Sequence, residues 1–342
     1  MARTRPTMRM LPALLVTAAG CAATMAHADG PSLRQPSMAF VQPSAGGSQP
    51  PSEQPSADGR APAIPSRQGP PTFSWNVGVR SIFALTTDLK DGGDVSITRV
   101  GPTLGAAWIF PGAQARLSVT YSFEYSNYDW SGNTGFVAGR PDPWSDIYRH
   151  SVSAIWSQQV DEKWSYFVGG LFGAAYEDGA SPGDALEFGV LLGFSYALSP
   201  ELSLGLGVGV LTQIEDDPLV IPIPTVDWRI DQQFRLTNNS RPGLFLIYTP
   251  AEAWTITLGA EYTTRDFRLD ENGPVPDGVG RDRRFPVLVE VAYRPERWLE
   301  IAARAGVDLG VRYWLSDSEG NEITTRRADP TPFFGLGATL RF

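Results

Sequence analysis

The chain has 342 residues, among them 35 glycines, 17 phenylalanines, 11 tyrosines and 10 tryptophans, with 19% charged residues and a net charge of −9. It lacks the Lys/Glu/Leu excess of a helical protein and favours many strands joined by Gly/Pro turns, so an all-β fold is expected. The acidic balance excludes a nucleic-acid partner, which needs a basic face, and the single cysteine excludes a disulfide scaffold.

Residues 1–28 read as an export signal. Arg3, Arg5 and Arg9 precede the apolar stretch "MLPALLVTAA", and "AHA" offers a small-x-small cleavage site before Asp29. Its removal takes the net charge from −9 to about −12 and leaves no cysteine. A competing reading is "AAGC", similar to a bacterial lipobox, with Cys21 as the lipidated residue. Residues 29–72 are rich in Pro, Ser, Gln and Gly without a sustained period. Such a segment buries too little apolar surface to offset its ordering entropy, so a disordered Pro-rich linker is expected.

From Phe73 onward the chain alternates apolar with small or polar residues in long segments. "FSWNVGVRSIF" sets Phe73, Trp75, Val77 and Val79 against Ser74, Asn76, Gly78 and Arg80. "ARLSVTYSFEY" repeats the pattern. It continues in "WSYFVGGLFGAAY", "LEFGVLLGFSYAL", "LSLGLGVGV", "WTITLGAEYTTR", "RFPVLVEVAYR" and "LEIAARAGVDLGVRYWL". Connections alternate in length. Tight ones lie at 110–113, 159–163, 199–201, 249–253 and 294–297; long polar ones lie at 126–145, 177–184, 268–284 and 315–330. That asymmetry predicts a transmembrane antiparallel up-and-down β-barrel over 73–342, with the tight turns on the periplasmic side. The stretch 214–243 carries Pro218, Pro222 and Pro224, and proline cannot donate to a sheet ladder. Read as an outside loop it gives about 12 strands; read as two short crossings it gives 14. Twelve is the primary expectation.

These strands are about twice the usual five or six residues, and no stretch of about twenty apolar residues follows the signal, so spanning by strands is expected. Trp75, Trp108, Trp130, Trp144, Trp156, Trp164, Trp254, Trp298, Trp314, Tyr262 and Tyr313 fall near strand ends, as expected of aromatic girdles at a membrane boundary. The chain closes on "FGLGATLRF", with Leu340 and Phe342 on the apolar face. Over about residues 73–342 it resembles the bacterial outer-membrane β-barrel proteins, whose last strand commonly ends in an aromatic. "PTVDWRIDQQFRL" and "FLIYTPAEAWTITLGAEYTTRDFRL" look like a functionally uncharacterised family of such barrels. The resemblance implies an outer-membrane location, lipid as surroundings, and Phe342 and Leu340 as a signal read by the barrel-assembly machinery.

With the aromatic parity outward, the lumen-lining candidates are Arg80, Arg116, Glu124, Glu187, Glu261, Arg265, Glu290, Arg294, Glu300, Arg304, Asp308 and Arg312. Buried charges require partners or water, so they either pair across the lumen or line an aqueous channel. Inward glycines such as Gly169, Gly173, Gly205, Gly207 and Gly209 point to a narrow or flattened barrel. Barrel lipases place His and Ser two apart on one strand. Here His150 is followed at that spacing by Val152, and Ser151 and Ser153 face the other way, so no catalytic residue is expected. One mature histidine offers no zinc set, and the acidic loops miss the spacing of a calcium loop, so neither metal nor cofactor is expected. The leading expectation is a channel or transport-type barrel for small solutes. The alternative is a structural or surface-interaction barrel with a plugged lumen, and a lipid-acting membrane enzyme is disfavoured.

Overall fold

The computed structural model describes residues 70–138, 140, 142–238 and 243–342. The export signal, Cys21 and the Pro-rich linker lie outside the described residues, save for the linker's last few. The strands are β1 (Thr72–Asp88), β2 (Asp94–Phe110), β3 (Ala115–Ser131), β4 (Asp146–Gln159), β5 (Trp164–Glu177), β6 (Leu186–Ala197), β7 (Leu202–Gln213) and β8 (Asp216–Arg229). They continue as β9 (Phe234–Thr237), β10 (Gly243–Ala251), β11 (Trp254–Glu261), β12 (Thr263–Arg268), β13 (Val279–Glu296), β14 (Leu299–Ser316), β15 (Glu322–Arg327) and β16 (Thr331–Arg341). β11 and β12 follow one another along β13, and β15 and β16 along β14, so the segments make fourteen staves. β1 pairs with β16 from Asn76↔Arg341 to Ala84↔Phe333, which closes the barrel.

Fourteen staves match the alternative reading, two crossings through the proline stretch, in place of the primary count of twelve. The proline stretch crosses as β8 and β9 instead of looping outside. β8 tolerates Pro222 and Pro224 because they direct their missing donors to the edge away from β7, and Pro218 because it lies at the register shift beside the β7–β8 turn.

Closure satisfies the backbone and leaves an apolar exterior. Leu104, Val152, Phe172, Val190, Leu192, Val210, Leu258 and Val289 stand about half exposed around the circumference. A soluble protein rarely exposes so continuous a belt, so this wall faces hydrocarbon. At the tight-turn end Phe73, Trp75, Trp164, Trp228, Trp254, Trp298 and Phe342 form an exposed aromatic ring. Phe342 stacks on Trp75 at 4.3 Å and bonds its backbone at 2.8 Å, so the final residue sits at the seam where the barrel closes.

The staves differ in height. β1, β2, β3, β13 and β14 run 17 or 18 residues, whereas β6 and β7 run 12 and β9 only 4. Roughly 9–11 tilted residues cross a hydrocarbon core, so the long staves project beyond it. Inside that projection the lumen is filled. Tyr128, Trp130, Phe136, Trp144, Phe267, Tyr313 and Leu315 form one buried cluster. Trp130, Trp144 and Tyr313 therefore belong to an interior cap and not to a girdle, a correction whose cause is parity for Trp130 and Tyr313 and, for Trp144, its place in the connection before β4. Trp130 shares the even parity of Glu124 on β3, and Gly310, at φ +58°, shifts β14 so that Tyr313 turns inward.

Candidate functional site

Inside the barrel the described staves gather a column of charged side chains. Alternation along each stave sends every second side chain inward, and the register between neighbours stacks those side chains in layers.

At the tight-turn mouth, Glu300 accepts from Arg294 at 2.7 Å and lies 3.0 Å from Arg341. Arg116 donates through Nε to the Ser118 hydroxyl at 3.0 Å. At mid-height Arg304 donates to Glu290, through Nε at 2.9 Å and through Nη2. Arg80 approaches the same carboxylate at 3.5 Å, and Glu261 lies 4.0 Å from Arg304. Higher still, Arg265 forks onto Glu124 at 2.8 and 3.2 Å, and Arg149 lies 3.7 Å from Glu187. Glu124 keeps 28% of its side-chain surface accessible.

Above it the lumen shuts. Asp282, with no accessible side-chain surface, accepts from Arg99 at 2.5 Å, from the Tyr128 hydroxyl at 2.7 Å and from Arg284 at 2.6 Å. Arg284 also donates to Asp308 at 2.6 Å. The aromatic cap lies over this layer, with Trp130 edge-on to Trp144 and to Tyr313 at 5.2 Å. Buried charges are tolerated when each has a partner, and here positive and negative groups alternate across the lumen.

Most of the sequence-derived candidates meet in these layers: Arg80, Glu261, Glu290 and Arg304 in one, Glu124 and Arg265 in the next, Asp308 in the closing one. Arg312 does not join them. Past the shift at Gly310 its guanidinium stands 6.0 Å from the Trp314 ring, beside Arg283 and Arg327. Arg99, Tyr128, Asp282 and Arg284, which close the lumen, escaped the sequence reading. The alternation hides them: Arg99 shares the parity of the apolar Val95 and Ile97, all three buried on the inner face. His150 lies on the outer face, its Nδ1 2.9 Å from the Tyr121 hydroxyl, away from the charged layers.

On the other side of the barrel the inner wall is apolar. Leu171, Leu191 and Leu211 are buried together, with Phe167, Ile221 and Ile223 against them. Beside this stripe β12 leaves the cylindrical path and reaches β5, where Arg268 bridges to Tyr176 in parallel. Asp266 on its back face pairs with Arg281 at 2.5 and 2.6 Å. Arg268 also bonds Glu215, and Arg281 lies 3.8 Å from Asp216, which ties the β7–β8 turn to β12 and β13.

No protein-family model matches the chain, and no curated protein matches it. Among solved structures it is similar to an outer membrane channel from Pseudomonas putida F1, at 12% identity over 79% of this chain and 96% of that one, TM-score 0.45. It is also similar to the P. putida toluene transporter TodX, at 10% identity over 80% and 90%, TM-score 0.38. A third is the KdgM porin in complex with disordered oligogalacturonate, at 10% identity over 78% and 99%, TM-score 0.31.

Proposed function

We propose that this chain is a bacterial outer-membrane transport barrel for small solutes, closed at its outer end by the Arg99–Asp282–Arg284–Asp308 layer. The observation that carries the reading is the change along the lumen axis. Charged side chains line the axis in successive layers, 41% exposed at Arg294, 4–15% at the Arg304–Glu290 layer and 28% at Glu124, up to Asp282, which has no accessible side-chain surface. A barrel serving only as an anchor has no need of an ion-paired column of charges below its cap. The work is binding and permeation, with mixed charges setting which solutes enter and no covalent step required. In the same reading the tight turns face the periplasm, and the β16 strand with Leu340 and Phe342 presents the signal for the barrel-assembly machinery.

The test is planar-bilayer conductance of the refolded full chain beside an Asp282→Ala/Arg284→Ala variant, each verified as folded by heat-modifiable gel migration. The reading expects low conductance from the wild type and a larger, steady conductance once the closing layer is removed. Silence in both folded proteins overturns it.

A further inference from the structure

We propose that Arg283, Arg312 and Arg327 form a phosphate-binding row on the outer wall of the barrel, occupied by the phosphorylated headgroup of a lipid in the outer leaflet. The site stands apart from the lumen. It rests on the orientation given above, with the tight turns toward the periplasm, and not on permeation.

The first observation is register. Arg283 on β13 lies directly across from Arg312 on β14, and Arg312 directly across from Arg327 on β15. Cross-strand neighbours stand about 5 Å apart, so the three share a row about 10 Å long. Like charges directly opposite one another destabilise a sheet, and here two such pairs follow in succession. Neighbouring arginines on the same strands are neutralised: Arg281 by Asp266, Arg284 by Asp282 and Asp308, and Arg326 by Asp91 at 3.5 Å. Among the described residues no ion pair joins Arg283, Arg312 or Arg327 to a carboxylate, although the chain carries a net charge of −9. The Arg283 Nε is buried and has no acceptor among the described residues.

The second observation is the face. Phe285, Val287 and Val289 turn outward on β13, and Arg283 continues that alternation. On β14 the shift at Gly310 sends Arg312 and Trp314 outward while Val311 and Tyr313 point in. Arg327 is exposed, whereas its neighbour Arg326 turns to Phe136 of the interior cap.

The third observation is height. Phe285 and Leu309 face each other one step below the row, 37% and 41% exposed in the lipid-facing belt. Trp314 stands one step above, its ring 4.7 Å from the Arg283 guanidinium and 6.0 Å from that of Arg312. Tryptophan favours the membrane–water boundary, and its ring face holds the guanidiniums in place. The row therefore lies where acyl chains give way to headgroups. A guanidinium presents parallel donors that fit the oxygens of a phosphate, and three charges in a row exceed what the internally neutralised phosphate of a zwitterionic lipid supplies. Carboxylates higher on the same face are already engaged: Glu215 by Arg268, Asp216 by Arg281, and Glu322 by the Thr325 hydroxyl at 2.8 Å.

The experiment measures binding of lipid A, a disaccharide lipid with two phosphates, to the refolded full chain in detergent micelles by microscale thermophoresis. Dephosphorylated lipid A and inorganic phosphate are the comparisons, and each protein is verified as folded by heat-modifiable gel migration. Arg283→Gln/Arg312→Gln/Arg327→Gln is expected to weaken lipid A binding at least ~10-fold. Lys163→Gln/Arg229→Gln/Arg297→Gln removes the same charge from exposed positions at the tight-turn end, and is expected to change it less than ~2-fold. Arg312→Gln alone, which relieves both like-charge contacts, is the second variant should the triple one fail to fold, and its expected loss is at least ~3-fold. Unchanged affinity in the folded row variants overturns the site, as does equal weakening by the two triple variants, which marks general charge attraction. Equal binding of the dephosphorylated lipid overturns it too, and so does displacement of lipid A by inorganic phosphate at equal concentration, which assigns the row to a soluble anion. Conductance reads Asp282 and Arg284 inside the barrel, so the transport reading and the lipid site fail separately.

Discussion

Asp282 concentrates the energetic argument at the scale of single residues. It has lost all contact with solvent and is bound by two guanidiniums and a phenol. Removing one partner of such a group strands the other charge, at a cost of about 3–5 kcal/mol. Arg284→Ala alone is therefore expected to lower stability by about that amount in urea-driven unfolding from detergent micelles, whereas Arg312→Ala, beside two other arginines, is expected to change it by less than about 1 kcal/mol. A smaller effect belongs to Asp161, in the turn between β4 and β5. Its carboxylate accepts the backbone N–H groups of Lys163 and Trp164 at 2.7 and 2.8 Å, and these hold its pKa below the ordinary carboxylate range. A depressed folded-state pKa means that the turn's contribution is present at neutral pH and is lost as pH falls through the lowered midpoint. An NMR titration of the Asp161 carboxyl should give a midpoint under the ~3.9 of a free aspartate, and an Asp161→Asn variant should lose the pH-dependent part.

At the scale of elements, the same alternation was both readable and misleading. Along β2 the lower half turns Leu104 to lipid, but in the upper half the apolar residues Val95 and Ile97 point inward and Ser96 and Thr98 outward. The rule "apolar faces lipid" holds only while the strand is in lipid. Beyond it the stave behaves as part of a soluble protein, apolar inside, and the sense of the pattern inverts without any break in period. Aromatic positions therefore named the lower ring correctly and misplaced Trp130, Trp144 and Tyr313. The closing layer was illegible for the same reason, since Arg99 shares its face with the apolar Val95 and Ile97. Mid-barrel pairing was legible in kind, because signs mixed at inward positions imply partners, but which arginine meets which carboxylate depends on register, and register is absent from a strand read alone. On β14 the local cause is backbone. Gly310 at φ +58° occupies a region costly to other residues, so Gly310→Val is expected to destabilise the barrel by about 1–3 kcal/mol and to expose Tyr313, seen as a change in near-ultraviolet dichroism. At the closing seam, the Trp75–Phe342 stack contributes about 0.5–1.5 kcal/mol beyond its burial. Phe342→Ala is accordingly expected to lower the temperature of heat-modifiable unfolding without abolishing the fold.

At the scale of the whole molecule, the uneven staves make the outer rim slope. The tall staves β13, β14, β1, β2 and β3 stand together, and the short ones from β6 to β10 stand opposite. Seen from outside the cell, the barrel is a parapet on one side and a doorstep on the other. Large visitors such as antibodies or proteases first meet the parapet, whose crest carries the 89–93 and 317–321 connections. The doorstep, with its tight turn at 214–215, sits near the headgroups among neighbouring lipids. Surface labelling of living cells should therefore mark the crest heavily and the doorstep sparingly.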